Sequence, residues 1–264
     1  MVTTASNRLQ PLATPAGRQA LAQIRLVATD MDGTLTHQGE FNDALFLTLS
    51  KLKASGMPVL ITTGRSAGWV SGLLHYLPVD AAIAENGGAY FTKANRYPTF
   101  LQPIANNHRQ LLLQQFERLR QTYPQLVESS DNLFRLTDWT FEVTGLSLDD
   151  LAWMTTNCHD NGWGFTYSTV QCHIEPLPQD KASGLTQVVG KQFPDLAHHQ
   201  VLTVGDSPND ESMFDPDQFP HSVGVANVHH YLDSLAHHPT FVTKAEEGKG
   251  FDELVNALFD ATDR

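Results

Sequence analysis

Residues 27–36, VATDMDGTLT, set two aspartates one residue apart behind a short apolar run, with a glycine directly after the second. In a strand, residues i and i+2 project to the same face, so Asp30 and Asp32 are expected to point together while Thr29 and Met31 point away. Two anions held that close repel unless one is protonated or a cation lies between them. Gly33 permits a sharp turn, and the Thr34 hydroxyl can tie that turn down. In isolation the default reading of the pair is a polar strand end with no chemistry, because acids are common in turns.

Working outward, short β-rich apolar runs ending in small or acidic residues recur as IRLVATD, MPVLITTG, DAAIAENGG, HQVLTVGD, HSVGVAN and PTFVTK. Helix-like segments such as 42–55 and 66–76 separate most of them, which predicts parallel strands with crossover helices. The fold class is α/β: a doubly wound, Rossmann-like parallel sheet core with an inserted α+β cap domain. The core is expected over 25–92 and 178–264. Segment 93–177 changes character and is large enough to form a cap of its own. Leu112, Phe116, Leu119 and Tyr123 lie at helical spacing, LFRLTDWTFEV alternates as a strand, Ser147 opens a second helix, and GFTYSTVQCHIE alternates again. Residues 1–24 are expected to be a mobile tail. Residues 1–29 hold Arg8, Arg18 and Arg25 and no acid, a composition that would also suit a targeting segment.

The 264 residues carry a formal net charge of -12 and no run of lysine or arginine, which argues against nucleic acid or an anionic membrane as partner. Cys158 and Cys172 lack metal-ligand spacing, so neither a disulfide framework nor a zinc site is expected, and a cytoplasmic setting follows. No apolar run approaches the roughly 18 residues of a membrane helix. Monomer and dimer are both compatible with the sequence. The paired histidines at 198/199, 229/230 and 237/238 are expected at the surface, and EEGKGF lacks P-loop spacing.

In open α/β sheets ligands bind beyond the carboxyl ends of the strands, where the polar motifs of this chain fall. VGDSPND brings Asp206, Asn209 and Asp210 to that edge; hard oxygen ligands with no His or Cys cluster suit Mg2+ and a phosphate, although the motif could also be a turn and helix cap. LITTGR offers Thr63, Gly64 and Arg65, a hydroxyl and backbone N–H groups able to hold phosphoryl oxygens. Lys181, where the chain returns from the cap, can neutralise charge on a transferring group.

Taken in order, DMDGT, the threonine of TTGR, the lysine of DKASGL and GDSPND resemble the four motifs of the haloacid dehalogenase superfamily of phosphatases, over residues 26 to about 255. AENGGAYF and the place of the insertion further resemble its branch with an α/β cap between the second and third motifs. That branch includes Cof-type, sucrose-phosphate and mannosyl-phosphoglycerate phosphatases, and TTGR is more similar to the first two. The resemblance implies that Asp30 is the nucleophile, that Asp32 is the general acid and base, and that Thr63 and Lys181 bind the phosphoryl group. It further implies Mg2+ held by the Asp30 carboxylate, the Asp32 backbone carbonyl and Asp206, with Asn209 and Asp210 in support.

Within the cap, Asp138, Thr140 and Glu142 share a strand face opposite Trp139, Phe141 and Val143. Gln171, His173 and Glu175 likewise oppose Val170, Cys172 and Ile174. Asp138, Glu142 and His173 are therefore expected to hydrogen-bond a polyhydroxylated leaving group, unless the face is merely solvated. Arg65 and Asn86 would either touch substrate or brace loops. The expected activity is a Mg2+-dependent phosphatase acting on a small phosphorylated metabolite, a sugar phosphate first. A phosphomannomutase-like phosphotransferase and a non-catalytic phospho-ligand-binding protein are the alternatives.

Overall fold

The computed structural model describes residues 9–95 and 97–262. In chain order its regular elements begin β1 (Gln10–Pro11), α1 (Pro15–Leu21), β2 (Leu26–Thr29), α2 (Asp43–Ala54), β3 (Val59–Thr62), α3 (Ala67–Tyr76), β4 (Ala81–Ala84), β5 (Ala89–Thr92) and β6 (Thr99–Phe100). They continue with α4 (His108–Thr122), β7 (Trp139–Glu142), α5 (Leu148–Asp160), β8 (Trp163–Tyr167), β9 (Gln171–Pro176), α6 (Lys181–Gln192), β10 (Val201–Gly205), β11 (Ser222–Gly224), β12 (Phe241–Val242) and α7 (Glu247–Thr262). The chain divides into two units, Met1–Val59 with Pro194–Arg264, and Leu60–Phe193.

In the first unit five parallel strands run in the order β1-β12-β11-β10-β2. Every residue of β2 and β10 is buried, as a parallel sheet covered on both faces requires. Phe251, Leu254, Val255 and Leu258 give α7 a buried stripe at helical spacing. The tail expected over 1–24 is corrected for its described part: Gln10 and Pro11 pair with Phe241 and Val242, and α1 starts at a Thr14 cap with proline at its first position. Leu12, Ala20, Leu21 and Ile24 are buried there. A composition without acids hides these four apolar anchors, whose spacing is too short to register as periodicity. Residues 1–8, with Arg8, lie outside the described residues.

The second unit holds two sets of strands. β3 and β4 are parallel, and β5 and β6 add antiparallel strands beyond β4, where the sequence showed only AYF. β7, β9 and β8 form a separate antiparallel sheet in that order. Its apolar face, with Phe141, Cys172 and Ile174, packs on Leu112, Phe116 and Leu119 of α4 and Leu151 and Met154 of α5. Cys158 and Cys172 are free buried thiols. Two details differ from the expected pattern. GFTYSTVQCHIE is a hairpin of two strands, with the Ser168 hydroxyl accepting from Val170 and Gln171 in the turn. LFRLTDWTFEV is a strand only from Trp139, because side chains elsewhere in the unit take the polar groups of 135–138. Among the described residues, no helix is long and apolar enough to cross a membrane.

Candidate active site

The first unit assembles an acidic edge. Thr29 of β2 stands opposite Val204 of β10, and the Asp30 amide donates to the Val204 carbonyl at 2.9 Å. Both strands end together there, so the acids that follow them, Asp30 and Asp206, are neighbours despite their separation in sequence. β2 stops at Thr29, so Asp32 is oriented by the turn rather than by strand alternation, and it is half-buried where Asp30 is buried. Gly33 adopts φ +79°, and a Cβ there would lie 2.6 Å from Asp206 Oδ2, so that position excludes any side chain. Thr34 does not close the turn as expected. Its hydroxyl donates to Asp206 Oδ1 at 2.8 Å, while Thr36 Oγ1 accepts from the Gly33 amide at 2.9 Å.

Asp206 is further held by Asn227, whose amide donates to its Oδ2 at 2.9 Å and to the Gly33 carbonyl at 3.0 Å. Asn227 was not singled out as a site residue from sequence; it closes the HSVGVAN run, in the turn after β11. Asp210 Oδ2 accepts from the amides of Asp206 and Ser207 at 2.8 and 3.1 Å, so GDSPND is a helix cap as well as an acidic site. Asn209 Oδ1 accepts from the Ser207 hydroxyl, inside the same turn. Asp30, Asp206 and Asp210 are all buried, and one oxygen of each lies within 4.8 Å of the others. Three like charges removed from water together are costly unless a cation joins them. The donor set is all hard oxygen, which fits a small divalent cation of the Mg2+ or Ca2+ type.

The second unit gathers the remaining candidates. Thr63 is buried at the end of β3, and its Oγ1 accepts from the Arg65 amide at 3.1 Å. Arg65 is half-buried with its guanidinium 5.1 Å above the Trp69 ring. Lys181 is fully buried as the first residue of α6, behind an Asp180 and Ser183 capping box. Asn86 is buried too, and its Nδ2 donates to Glu175 Oε2 at 3.3 Å.

The polar sheet face exists as expected, since Thr140 pairs with His173 and Glu142 with Gln171, but it is largely buried rather than solvated. It closes on its own partners. Arg135, whose side chain is 0% exposed, donates to both Asp138 oxygens at 3.1 and 2.8 Å, to both Asp131 oxygens at 3.2 and 3.0 Å, and to Gln171 Oε1 at 2.7 Å. His173 Nδ1 lies 2.9 Å from Asp138 Oδ2. Burial alone would raise the Asp138 carboxyl, but Arg135 and then His173 hold it below its ordinary range. An ionised Asp138 can only accept, so Nδ1 of His173 carries the proton. Burial lowers His173 against the pull of Asp138. Glu142 does not join this group; it is exposed at the end of β7.

Glu85 was not singled out from sequence, and Glu175 was named only as part of the polar sheet face. Glu85 accepts from the amides of Ala67, Leu136 and Thr137 and from the Thr137 hydroxyl, tying the start of α3 to the segment before β7. Burial, then the nearby Asp138 charge, raise its carboxyl to about 7 against those donors. Glu85 and Asn86 have φ of +54° and +49°, unusual for residues with a side chain and costing about 1 kcal/mol each. Burial likewise raises Glu175 well above the ordinary glutamate value. The ENGG stretch could have flagged Glu85, because an acid leading a glycine pair at a strand end is an uncommon turn.

The chain matches the family model for haloacid dehalogenase-like hydrolases over residues 27–145 and 151–251. It is 28% identical over 241 residues to a phosphoglycolate phosphatase of Saccharolobus solfataricus, covering 89% of this chain and 96% of that protein. A phosphoglycolate phosphatase of Sulfolobus acidocaldarius is 28% identical over 240 residues, covering 89% and 96%. In fold the chain is similar to the solved structure of Thermoplasma acidophilum 0175, with a TM-score of 0.72 at 21% identity over 91% of this chain and 98% of that one. It is also similar to the sucrose-phosphatase of Synechocystis, with a TM-score of 0.64 at 15% identity over 89% and 98%.

Proposed function

This chain belongs to the haloacid dehalogenase-like hydrolases and is a phosphatase, and we propose that it is a Mg2+-dependent phosphomonoesterase acting through an aspartyl phosphate on a small phosphorylated metabolite. The buried cluster of Asp30, Asp206 and Asp210 carries this reading. Asp30 forms a bond to phosphorus as the bond to the leaving oxygen breaks, and Asp32 supplies the proton that oxygen needs. Asp32 then takes a proton from water as the water attacks phosphorus, which returns the Asp30 carboxylate and releases inorganic phosphate. Dividing one hard displacement into two steps is the benefit of the covalent route. Thr63 and Lys181 hold the phosphoryl oxygens and balance their charge. The Asp30, Asp206 and Asp210 carboxylates and the Asp32 carbonyl would hold Mg2+, which supplies further charge neutralisation at the phosphoryl group.

Phosphoglycolate is the first substrate to test, since relatives spanning most of the chain are named for its hydrolysis. A sugar phosphate is the second. The sugar reading relied on Asp138 and His173 being available to hydroxyls, and their engagement with each other and with Arg135 favours a smaller leaving group. In this reading segment 93–177 acts as the cap. Purified protein with Mg2+ should release inorganic phosphate from phosphoglycolate faster than from a panel of sugar phosphates. Asp30→Asn should lower that release by at least about 1000-fold with unchanged circular dichroism, the loss expected of a missing nucleophile. Retained turnover in Asp30→Asn would refute the covalent step. Movement of phosphate within a sugar without release would favour a phosphotransferase, and binding without any release would favour a phospho-ligand-binding protein.

A further inference from the structure

The turn Thr63–Gly64–Arg65 presents three successive backbone carbonyls, and each has a donor. The Asn86 amide donates to the Thr63 carbonyl at 3.1 Å and the Glu85 amide to the Arg65 carbonyl at 3.0 Å. The middle one, of Gly64, accepts from Arg135 Nη1 at 2.9 Å. Two holds thus come from the loop after β4, and the third comes from the inserted segment. The same segment also presses on Gly64 from the side. A Cβ at Gly64 would meet His173 Cε1 at 2.9 Å, His173 Nε2 at 3.1 Å and Asn86 Oδ1 at 3.1 Å, so the imidazole packs directly on the glycine. Asp138 joins these holds, accepting from Arg135 and from His173.

We propose that Arg135 is a positioning residue for phosphoryl transfer: it fixes the Thr63–Gly64–Arg65 turn through the Gly64 carbonyl and, by way of Asp138, through the His173 ring. The proposal rests on the phosphatase reading and deepens it. Arg135 touches no reacting atom in this scheme, and its planar fork meets six acceptor atoms on Gly64, Asp131, Asp138 and Gln171 at once. A lysine ammonium keeps the charge opposite the two carboxylates, but its single compact head cannot also reach the Gly64 carbonyl and Gln171. Misplacing a group that binds the reacting phosphoryl by about 1 Å costs on the order of 100-fold in rate. A contact to the leaving group alone would affect one substrate. A misplaced phosphoryl turn affects all of them.

Arg135→Lys is therefore expected to lower kcat by about 10- to 100-fold, and by the same factor for phosphoglycolate and for p-nitrophenyl phosphate. Its affinity for orthovanadate, measured calorimetrically with Mg2+ present, should fall by a similar factor. The vanadate arm needs no turnover, so it reports on the turn even if the wild-type protein hydrolyses nothing, a result that would defeat only the phosphatase reading. Should Arg135→Lys fail to fold, Gly64→Ala tests the same device, because the added methyl runs into the His173 ring. Gly64→Ala should lose activity and vanadate affinity, and Gly64→Ala with His173→Ala should regain about 10-fold of that loss. The proposal is overturned if Arg135→Lys loses only thermal stability while kcat and vanadate affinity stay within about twofold. A selective loss toward phosphoglycolate alone, no wild-type vanadate binding, or no recovery in the double variant also overturns it.

Discussion

Glu85 shows how far one side chain can organise a loop. Its carboxyl receives three amides and a hydroxyl, and the residue accepts a left-handed backbone to do so. Burial and the Asp138 charge raise it from an ordinary 4.5 to about 7, so the folded protein binds this proton more tightly than the unfolded chain does. The stabilisation is therefore complete below pH 4.5 and is lost as pH rises toward 7, a change of at most about 3 kcal/mol. Asp138 contributes with the opposite sign, since its lowered carboxyl loses its stabilising effect as pH falls. Glu85→Gln should flatten the decline of Tm between pH 5 and 7.5. It should also cost about 1–3 kcal/mol overall, because an amide NH2 would then face backbone donors. Thermal melts of both proteins across that range provide the check; identical slopes would show that another group carries the titration.

At the scale of elements, α1 separates a tail from a structural part. Leu21 is 1% exposed and Arg18 lies on the solvent side of the same helix. Leu21→Ala should lower unfolding free energy by about 2–5 kcal/mol in urea titrations, whereas Arg18→Ala should change it by less than about 0.5 kcal/mol. Equal, small effects would restore the view that this segment is dispensable. The six apolar runs of the sheet were legible because buried parallel strands need unbroken β-rich sequence, and Ser147 was legible as a cap because its hydroxyl accepts from the Asp150 amide locally. The stretch 133–138 was not. Its alternation suggests a strand, but Arg135 reaches Gly64 and Gln171, and Glu85 takes the amides of Leu136 and Thr137. No local pattern encodes partners that distant.

At the scale of the whole molecule, a net charge of -12 coexists with a buried cluster of three acids, the cluster to which the proposed function assigns Mg2+. The acids were legible as a site because strand ends in an α/β sheet share an edge. The residues that orient them, Thr34 and Asn227, were not, since a threonine or an asparagine in a turn has too many local uses to signal a distant bond. Mg2+ at about 100 times its dissociation constant should add about 2.7 kcal/mol of stability, which raises Tm by roughly 5–10 °C in a chain of this length. Asp206→Asn should lose most of that response, because one carboxylate of the cluster is gone. Asp32→Asn should keep the response while losing turnover, because only its backbone carbonyl is assigned to the metal. Differential scanning calorimetry with Mg2+ and with a chelator separates these outcomes. A full Mg2+ shift in Asp206→Asn would place the ion elsewhere, and a lost shift in Asp32→Asn would give that carboxylate a metal-binding role in addition to proton transfer.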